Sequence, residues 1–176
     1  MIEPLSLIYW SRAGLGLGAA LLCTMLNILL NGLNLFSNIS VALIVYIVAY
    51  YIYKWRFFAQ VEKPSKIATH GIGAYFMTWI LTLGLFFTIL QPIAVFTYSP
   101  VTDNTVTFNA SNSYSSTGYI ISYKWDFGDE NITTLASSVI THVYATPENY
   151  TVNLIVTNNY GFSTAISEIV VVRAPE

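Results

Sequence analysis

Few side chains in this 176-residue sequence could do acid–base, nucleophilic or metal chemistry. The most suggestive are Asp126 and Asp129, in the run Tyr123-Lys124-Trp125-Asp126-Phe127-Gly128-Asp129, followed by His142 in His142-Val143-Tyr144. Two carboxylates and an imidazole are the raw material of an acid–base pair or of a cation site if the fold brings them to one point. The simpler reading is structural. Asp126, Gly128 and Asp129 make a turn whose carboxylates accept backbone N–H bonds, and Trp125 is a core aromatic. One histidine with scattered acids makes no catalytic constellation, so no catalytic residue, bound metal or cofactor is expected. The other histidine, His70, stands beside Lys66 and Thr69 and reads as an interfacial residue. The single cysteine, Cys23, excludes an internal disulfide and a cysteine-rich metal site.

The elements that must position these residues differ along the chain. Hydrophobic types make up 55% of the sequence and charged ones only 9%, against roughly 25% charged in an average soluble domain. From Met1 to Gln91 the basic residues are Arg12, Lys54, Arg56, Lys63 and Lys66, and the acidic ones Glu3 and Glu62; from Pro92 onward only Lys124 and Arg173 oppose seven acidic residues. A change of sign at mid-chain marks two parts in different surroundings. A net charge of −2 with no basic stripe excludes nucleic acid as a partner.

The first part, residues 1–91, reads as a membrane domain. Crossing the roughly 30 Å hydrocarbon core takes about 20 apolar residues in a helix. Such runs extend over about Ala13–Leu33, Ser40–Tyr53 and Gly71–Leu90. The second is short and borrows Phe36 or Ile39, with Lys54 snorkelling at its other end. Met1–Trp10 lacks the positive stretch of a cleaved signal peptide, so the first span is expected to be retained. The basic residues between spans two and three predict a cytoplasmic loop there. A multi-pass cell-membrane protein follows, N-terminus inside and everything after span three outside. Asn-x-Ser/Thr acceptor sites at Asn38, Asn109, Asn131 and Asn149 all fall on segments this rule places outside, as a glycoprotein requires.

Within span one, Ser11, Gly14 and Gly18 line one helix face, a small-xxx-small pattern that lets backbones approach closely in lipid. Packing inside the three-helix bundle is the favoured reading, ahead of a homodimer seam. Asn27, Asn31 and Asn34 follow at helical spacing; Asn27 and Asn31 are candidates for an intramembrane polar surface, whereas Asn34 caps the helix end. Tyr46, Tyr50, Tyr51, Tyr53 and Trp55 crowd one end of span two as an interfacial belt. No carboxylate pair or metal-ligand spacing occurs in this half, which argues against a transporter or intramembrane enzyme.

Ser11 to Leu22, Gly32-Leu33-Asn34-Leu35-Phe36, Lys54-Trp55-Arg56-Phe57-Phe58 and Gly71-Ile72-Gly73-Ala74-Tyr75-Phe76-Met77-Thr78-Trp79 together resemble a small three-helix membrane family. Its best-known member is the sixth subunit of the endoplasmic reticulum membrane protein complex. The resemblance, over about residues 8 to 90, implies a cytoplasmic N-terminus and an accessory bundle packed beside an Oxa-type insertase. Gly14, Gly18, Asn27 and Asn31 would then face that partner.

After Gln91-Pro92 the periodicity changes to alternating apolar and polar residues, as in Thr105-Val106-Thr107-Phe108 and Tyr150-Thr151-Val152-Asn153-Leu154-Ile155-Val156. Several short strands separated by turn clusters argue for an all-β, immunoglobulin-like sandwich over residues 92–176. The Trp125-Asp126-Phe127-Gly128-Asp129 turn, then His142 and Tyr144, then Tyr150-Thr151-Val152 strongly resemble the polycystic kidney disease (PKD) domain. Pro92 to Pro100 looks like that family's first strand, and Pro92 ends the preceding helix, so the sandwich is expected directly on the outer membrane surface. The chain departs from the family at Glu130 and Asn149, where glycine is common. Calcium-binding relatives carry acids before the Trp strand, whereas Tyr114-Ser115-Ser116-Thr117-Gly118 has none.

The expected protein is therefore a non-enzymatic three-span membrane protein presenting a PKD interaction module, with the lipid bilayer as its first partner. The leading version makes it an accessory subunit of a membrane-protein insertion or assembly complex. The alternative makes the helices an anchor for adhesion or surface-layer binding, with surface glycoproteins or glycans as partners.

Overall fold

The computed structural model describes residues 4–30, 35–61, 65–101 and 104–173. The chain divides into two compact units, Met1–Thr88 and Ile89–Glu176.

The first unit is helical, with α1 (Pro4–Leu29), α2 (Leu35–Phe57), α3 (Ser65–Thr69) and α4 (Ile72–Leu90). Three helical segments are long and apolar enough to cross a membrane: Pro4–Leu29, Phe36–Phe57 and Ser65–Leu90. All three begin earlier than the apolar runs read from hydropathy. Helix α1 starts at Pro4, where a proline costs no intrahelical hydrogen bond, because Arg12 does not end the helix but is buried in it. Helix α2 runs on through Lys54, Trp55 and Arg56. Lysine and arginine are good helix formers, so charge ends the apolar run without ending the helix. Between α3 and α4 the backbone breaks at Gly71, whose φ of +81° suits glycine and whose missing Cβ would lie 3.2 Å from Tyr9 Cα.

The bundle core is built on one α1 face, where Ala19, Ala20 and Cys23 pack with Ala42, Tyr75, Trp79 and Leu83. The close helix–helix approach occurs at Gly16. A Cβ there would stand 2.5 Å from the Tyr75 carbonyl oxygen and 3.1 Å from the Trp79 nitrogen. Gly14 and Gly18 are exposed with nothing within 4 Å of their Cβ positions. The expectation that they pack inside the bundle is thereby corrected: the 3.6-residue period puts them on a different face from Gly16.

The second unit is an antiparallel β-sandwich. Its strands are β1 (Pro92–Ile93), β2 (Thr97–Val101), β3 (Thr105–Asn109), β4 (Tyr114–Ser115), β5 (Ile120–Asp126), β6 (Ile132–Leu135), β7 (Val139–Val143), β8 (Asn149–Asn158) and β9 (Ser163–Val171). One sheet has the order β2-β3-β7, the other β6-β5-β8-β9, and β1 pairs with β4. Alternation along β8 sends Val152, Leu154 and Val156 into the core, as expected of strands with one face on a core. There Trp125 packs against Phe96 and Phe108 at ring separations of 5.2 and 5.4 Å.

The strand register defines two ends. At the root, where the chain enters at Leu90, Ile120 pairs with Asn158 and Thr157 with Ser163, while Asn109 pairs with both Thr97 and Val139. At the tip, Asp126 pairs with Ile132 and Asn153, Asn149 with Val171, and Thr105 with Val143.

Candidate functional site

The residues singled out for chemistry meet at the tip. Asp126 Oδ1 accepts the Gly128 N–H at 3.1 Å, turning the chain after β5. Gly128 has φ +79°, and a Cβ there would lie 2.6 Å from the Thr151 carbonyl oxygen. Asp129 Oδ1 accepts the Asn131 backbone N–H, while Oδ2 accepts the Asn131 side-chain amide at 3.1 Å and lies 2.7 Å from His142 Nε2. Burial works against the Asp129 charge, but the hydrogen bonds from His142 and Asn131 outweigh it and hold the carboxyl below its usual range. The imidazole lies flat on Phe127, rings 4.0 Å apart. Tyr144 donates its hydroxyl to the Phe127 carbonyl at 3.2 Å and stacks on Tyr150. Burial, then the negative charge of Asp129, raises the Tyr144 pKa well above the ordinary phenol.

Both Asp129 oxygens are thus engaged in holding a turn, and Trp125 is wholly buried, out of a ligand's reach. Among the described residues no three His, Cys, Asp or Glu come together to hold a metal. The arrangement is a turn tied to β7 by the hydrogen bond between Asp129 and His142. Of the two positions that depart from the glycine pattern, Glu130 takes a left-handed φ of +70° and Asn149 does not.

Two expectations in the helical unit are corrected. Asn27 does not present an open polar face: it is buried, and its amide donates to Asn38 Oδ1 and to the Cys23 carbonyl, both at 2.8 Å. Asn38, read as a glycan acceptor in an outer turn, lies inside α2 and is 1% exposed, its side chain engaged with Asn27. An amide in a helix at membrane depth satisfies its polarity inside the bundle. Asn31 and Asn34 lie outside the described residues. Asn109, Asn131 and Asn149 are exposed.

Two residues escaped the sequence reading. The guanidinium of Arg12 donates to the carbonyls of Ile67, Ala68 and His70, at 2.6 Å for Ile67, and lies 4.9 and 5.6 Å from the Tyr46 and Tyr53 ring centres. It clips α3 and the following turn onto α1. Its only signal in the sequence is a lone cation beside an apolar run. Asn158 is buried at the root of the sandwich. Its amide donates to the Leu90 carbonyl and to Ser115 Oγ, and its oxygen accepts the N–H groups of Tyr160 and Phe162. Nothing in its sequence context separates it from the neighbouring Asn159.

The described helices also carry open concave surfaces. An apolar groove of about 530 Å³ runs between α1 and α2, lined by Ser11, Leu15, Val45, Val48, Ala49 and Tyr53 among others. Near the end of α2, Tyr51, Lys54, Trp55 and Phe58 surround a shallow depression.

A sandwich with this aromatic core and locked turn defines the class of the second unit, and residues 90–173 match the model of the PKD domain family. Among curated proteins, a microbial collagenase of Vibrio alginolyticus is 36% identical over 69 residues, 39% of this chain and 8% of the collagenase. Collagenase ColA of Bacillus cereus is 38% identical over 64 residues, 36% of this chain and 6% of that protein. The matches thus span a small part of the length of these relatives. Among solved structures, the PKD1 domain of Vibrio anguillarum Epp is 26% identical, with 48% of this chain and 96% of that one covered at a TM-score of 0.45. The PKD1 domain of the Vibrio cholerae metalloprotease PrtV is 30% identical, with 48% and 100% covered at a TM-score of 0.44.

Proposed function

We propose that this chain is a non-enzymatic membrane protein in which a three-helix anchor presents a PKD-type interaction or adhesion module outside the cell. The observation that carries this reading is the PKD match over residues 90–173 immediately following three helices of membrane-crossing length. The turn fits binding through surface shape rather than chemistry, since Asp129 and His142 are spent on one another and Asp126 on the Gly128 N–H. Surface glycoproteins or glycans are the partners such a module takes. The N-terminus and the basic loop after α2 are cytoplasmic by the distribution of positive charge.

A second reading, the accessory role beside an Oxa-type insertase, is favoured by the unfilled face of α1 at Gly14 and Gly18. Small residues with open space above them admit another helix at close range in lipid. A mild-detergent pull-down of the full chain, with partners identified by mass spectrometry, separates the two. Extracellular or surface-layer glycoproteins support the adhesion module. Recovery of an insertase instead, lost on Gly14→Leu, would overturn the anchor-only reading.

A further inference from the structure

The sandwich is electrically polarised along its own length. The root segments 90–97, 109–120, 136–139 and 157–164 contain no Asp, Glu, Lys, Arg or His. Every charged residue described in this unit lies towards the tip. Asp126, Asp129 and Glu130 are in or beside the β5–β6 turn, while Glu148 bonds Val172, next to Arg173. On the strands, Lys124 pairs with Thr134 and Glu168 with Val152, both nearer the tip than the root.

The same root carries the exposed aromatics. Tyr114 and Tyr119 are 53% and 67% exposed, and Ile93, paired with Tyr114 across β1 and β4, is 42% exposed. No other tyrosine of the sandwich is exposed among the described residues. Exposed aliphatics occur at the tip too, Ile132 and Ile169 for example, but there they sit among charges. At the root they are accompanied by uncharged residues, chiefly Ser, Thr, Asn and Tyr with Gln91 and small Gly and Ala.

We infer that the root of the sandwich is a bilayer-docking surface, with Tyr114, Tyr119 and Ile93 seated in the interfacial layer of the lipid. The occupant follows from charge and from chain continuity. Asn158 fixes the Leu90 carbonyl at the root, and Leu90 is the last residue of the membrane-length segment Ser65–Leu90. A surface brought this close to hydrocarbon is penalised for every charge it carries, whereas tyrosine places its ring at the apolar boundary and its hydroxyl in the headgroups. The acidic residues are correspondingly collected at the opposite end. This inference rests on the membrane-anchored reading proposed above.

The test uses the full chain in a Cys23→Ala background, reconstituted in phosphatidylcholine vesicles. An environment-sensitive fluorophore is attached at Ser116→Cys, in the root loop between the two tyrosines, or at Glu130→Cys at the tip. The expected result is a blue-shifted emission at the root, quenched by phosphatidylcholine spin-labelled near its headgroup, and a water-like, unquenched emission at the tip. Adding Tyr114→Asp and Tyr119→Asp is expected to abolish the root shift and quenching while the thermal unfolding of the sandwich is unchanged. Equal emission and quenching at the two positions, or a root signal indifferent to the aspartates, would overturn the inference. Alkaline carbonate extraction of the same vesicles keeps the two failures distinguishable, because a chain that is not membrane-anchored is released by it.

Discussion

His142 Nε2 and Asp129 Oδ2 stand 2.7 Å apart, tying the turn after β5 to β7, with the imidazole pressed flat on Phe127. This hydrogen bond is only partly exposed, so losing its acceptor leaves a half-buried donor that water satisfies incompletely. Truncating Asp129 to alanine leaves Asn131 and His142 without their acceptor, at a cost of about 1–3 kcal/mol to the sandwich. Chemical denaturation followed through a signal of the sandwich core checks the value.

The acid dependence has a definite sign. The folded-state pKa of Asp129 is depressed, so its contribution is fully present above the unfolded value of about 3.9 and is lost as pH falls through the folded value. Stability of the sandwich is expected to drop below about pH 4, and Asp129→Asn is expected to flatten that drop. Thermal unfolding of both proteins between neutral and acid pH reads it. Identical acid profiles would show that the pair contributes nothing to the dependence.

Glu130 and Gly128 share one turn and respond oppositely to exchange. Glu130 is held at φ +70°, a conformation costing an L-residue about 1–2 kcal/mol, so Glu130→Gly is expected to stabilise by roughly 0.5–1 kcal/mol after the added chain entropy of glycine. Gly128→Ala meets the Thr151 carbonyl and is expected to destabilise by about 2 kcal/mol or more. Melting temperatures of the two variants should move apart.

Arg12 is expected to govern the connection between α2 and α4. Arg12→Gln removes the charge-assisted bonds to the carbonyls of Ile67, Ala68 and His70, each class of bond being worth about 1.5–3 kcal/mol. Amide hydrogen exchange over residues 65–70 should accelerate about tenfold or more, one factor of ten corresponding to about 1.4 kcal/mol. Unchanged protection would show that α3 is held by Tyr46 and by the packing of Ile67 alone.

Two glycines of α1 provide a paired test of which face packs. Gly16→Leu has no room against Tyr75 and Trp79 and is expected to disrupt the bundle. Gly14→Leu has open space and is expected to leave the purified chain folded. Detergent melting curves distinguish them, and a Gly14→Leu chain that unfolds would restore an in-bundle role for that glycine.

How far these features were legible depends on whether the information is local. The Trp125–Asp129 turn, His142 and Tyr144 form a compact pattern, and the alternation of β8 is written in consecutive residues. The approximate positions of the spans follow from apolar runs. Rotational phase is not local: both Gly16 and the Gly14/Gly18 pair are small, and only the path of α4 decides which meets a neighbour. Asn38 satisfies the acceptor tripeptide, but its burial depends on Asn27 one helix away. Arg12 looks like a flank because hydropathy penalises charge without seeing the carbonyls that receive it. The segregation of charge to the tip emerges only once the register aligns Asp126 with Asn153 and Ile120 with Asn158.

Topology tests the central claim most directly. In intact cells with Cys23 replaced by alanine, a membrane-impermeant maleimide is applied to Glu130→Cys and Lys66→Cys variants of the full chain. The account predicts labelling at position 130 from outside and at position 66 only after permeabilisation. Labelling at 66 from outside with protection at 130 would contradict it, placing the sandwich in the cytoplasm.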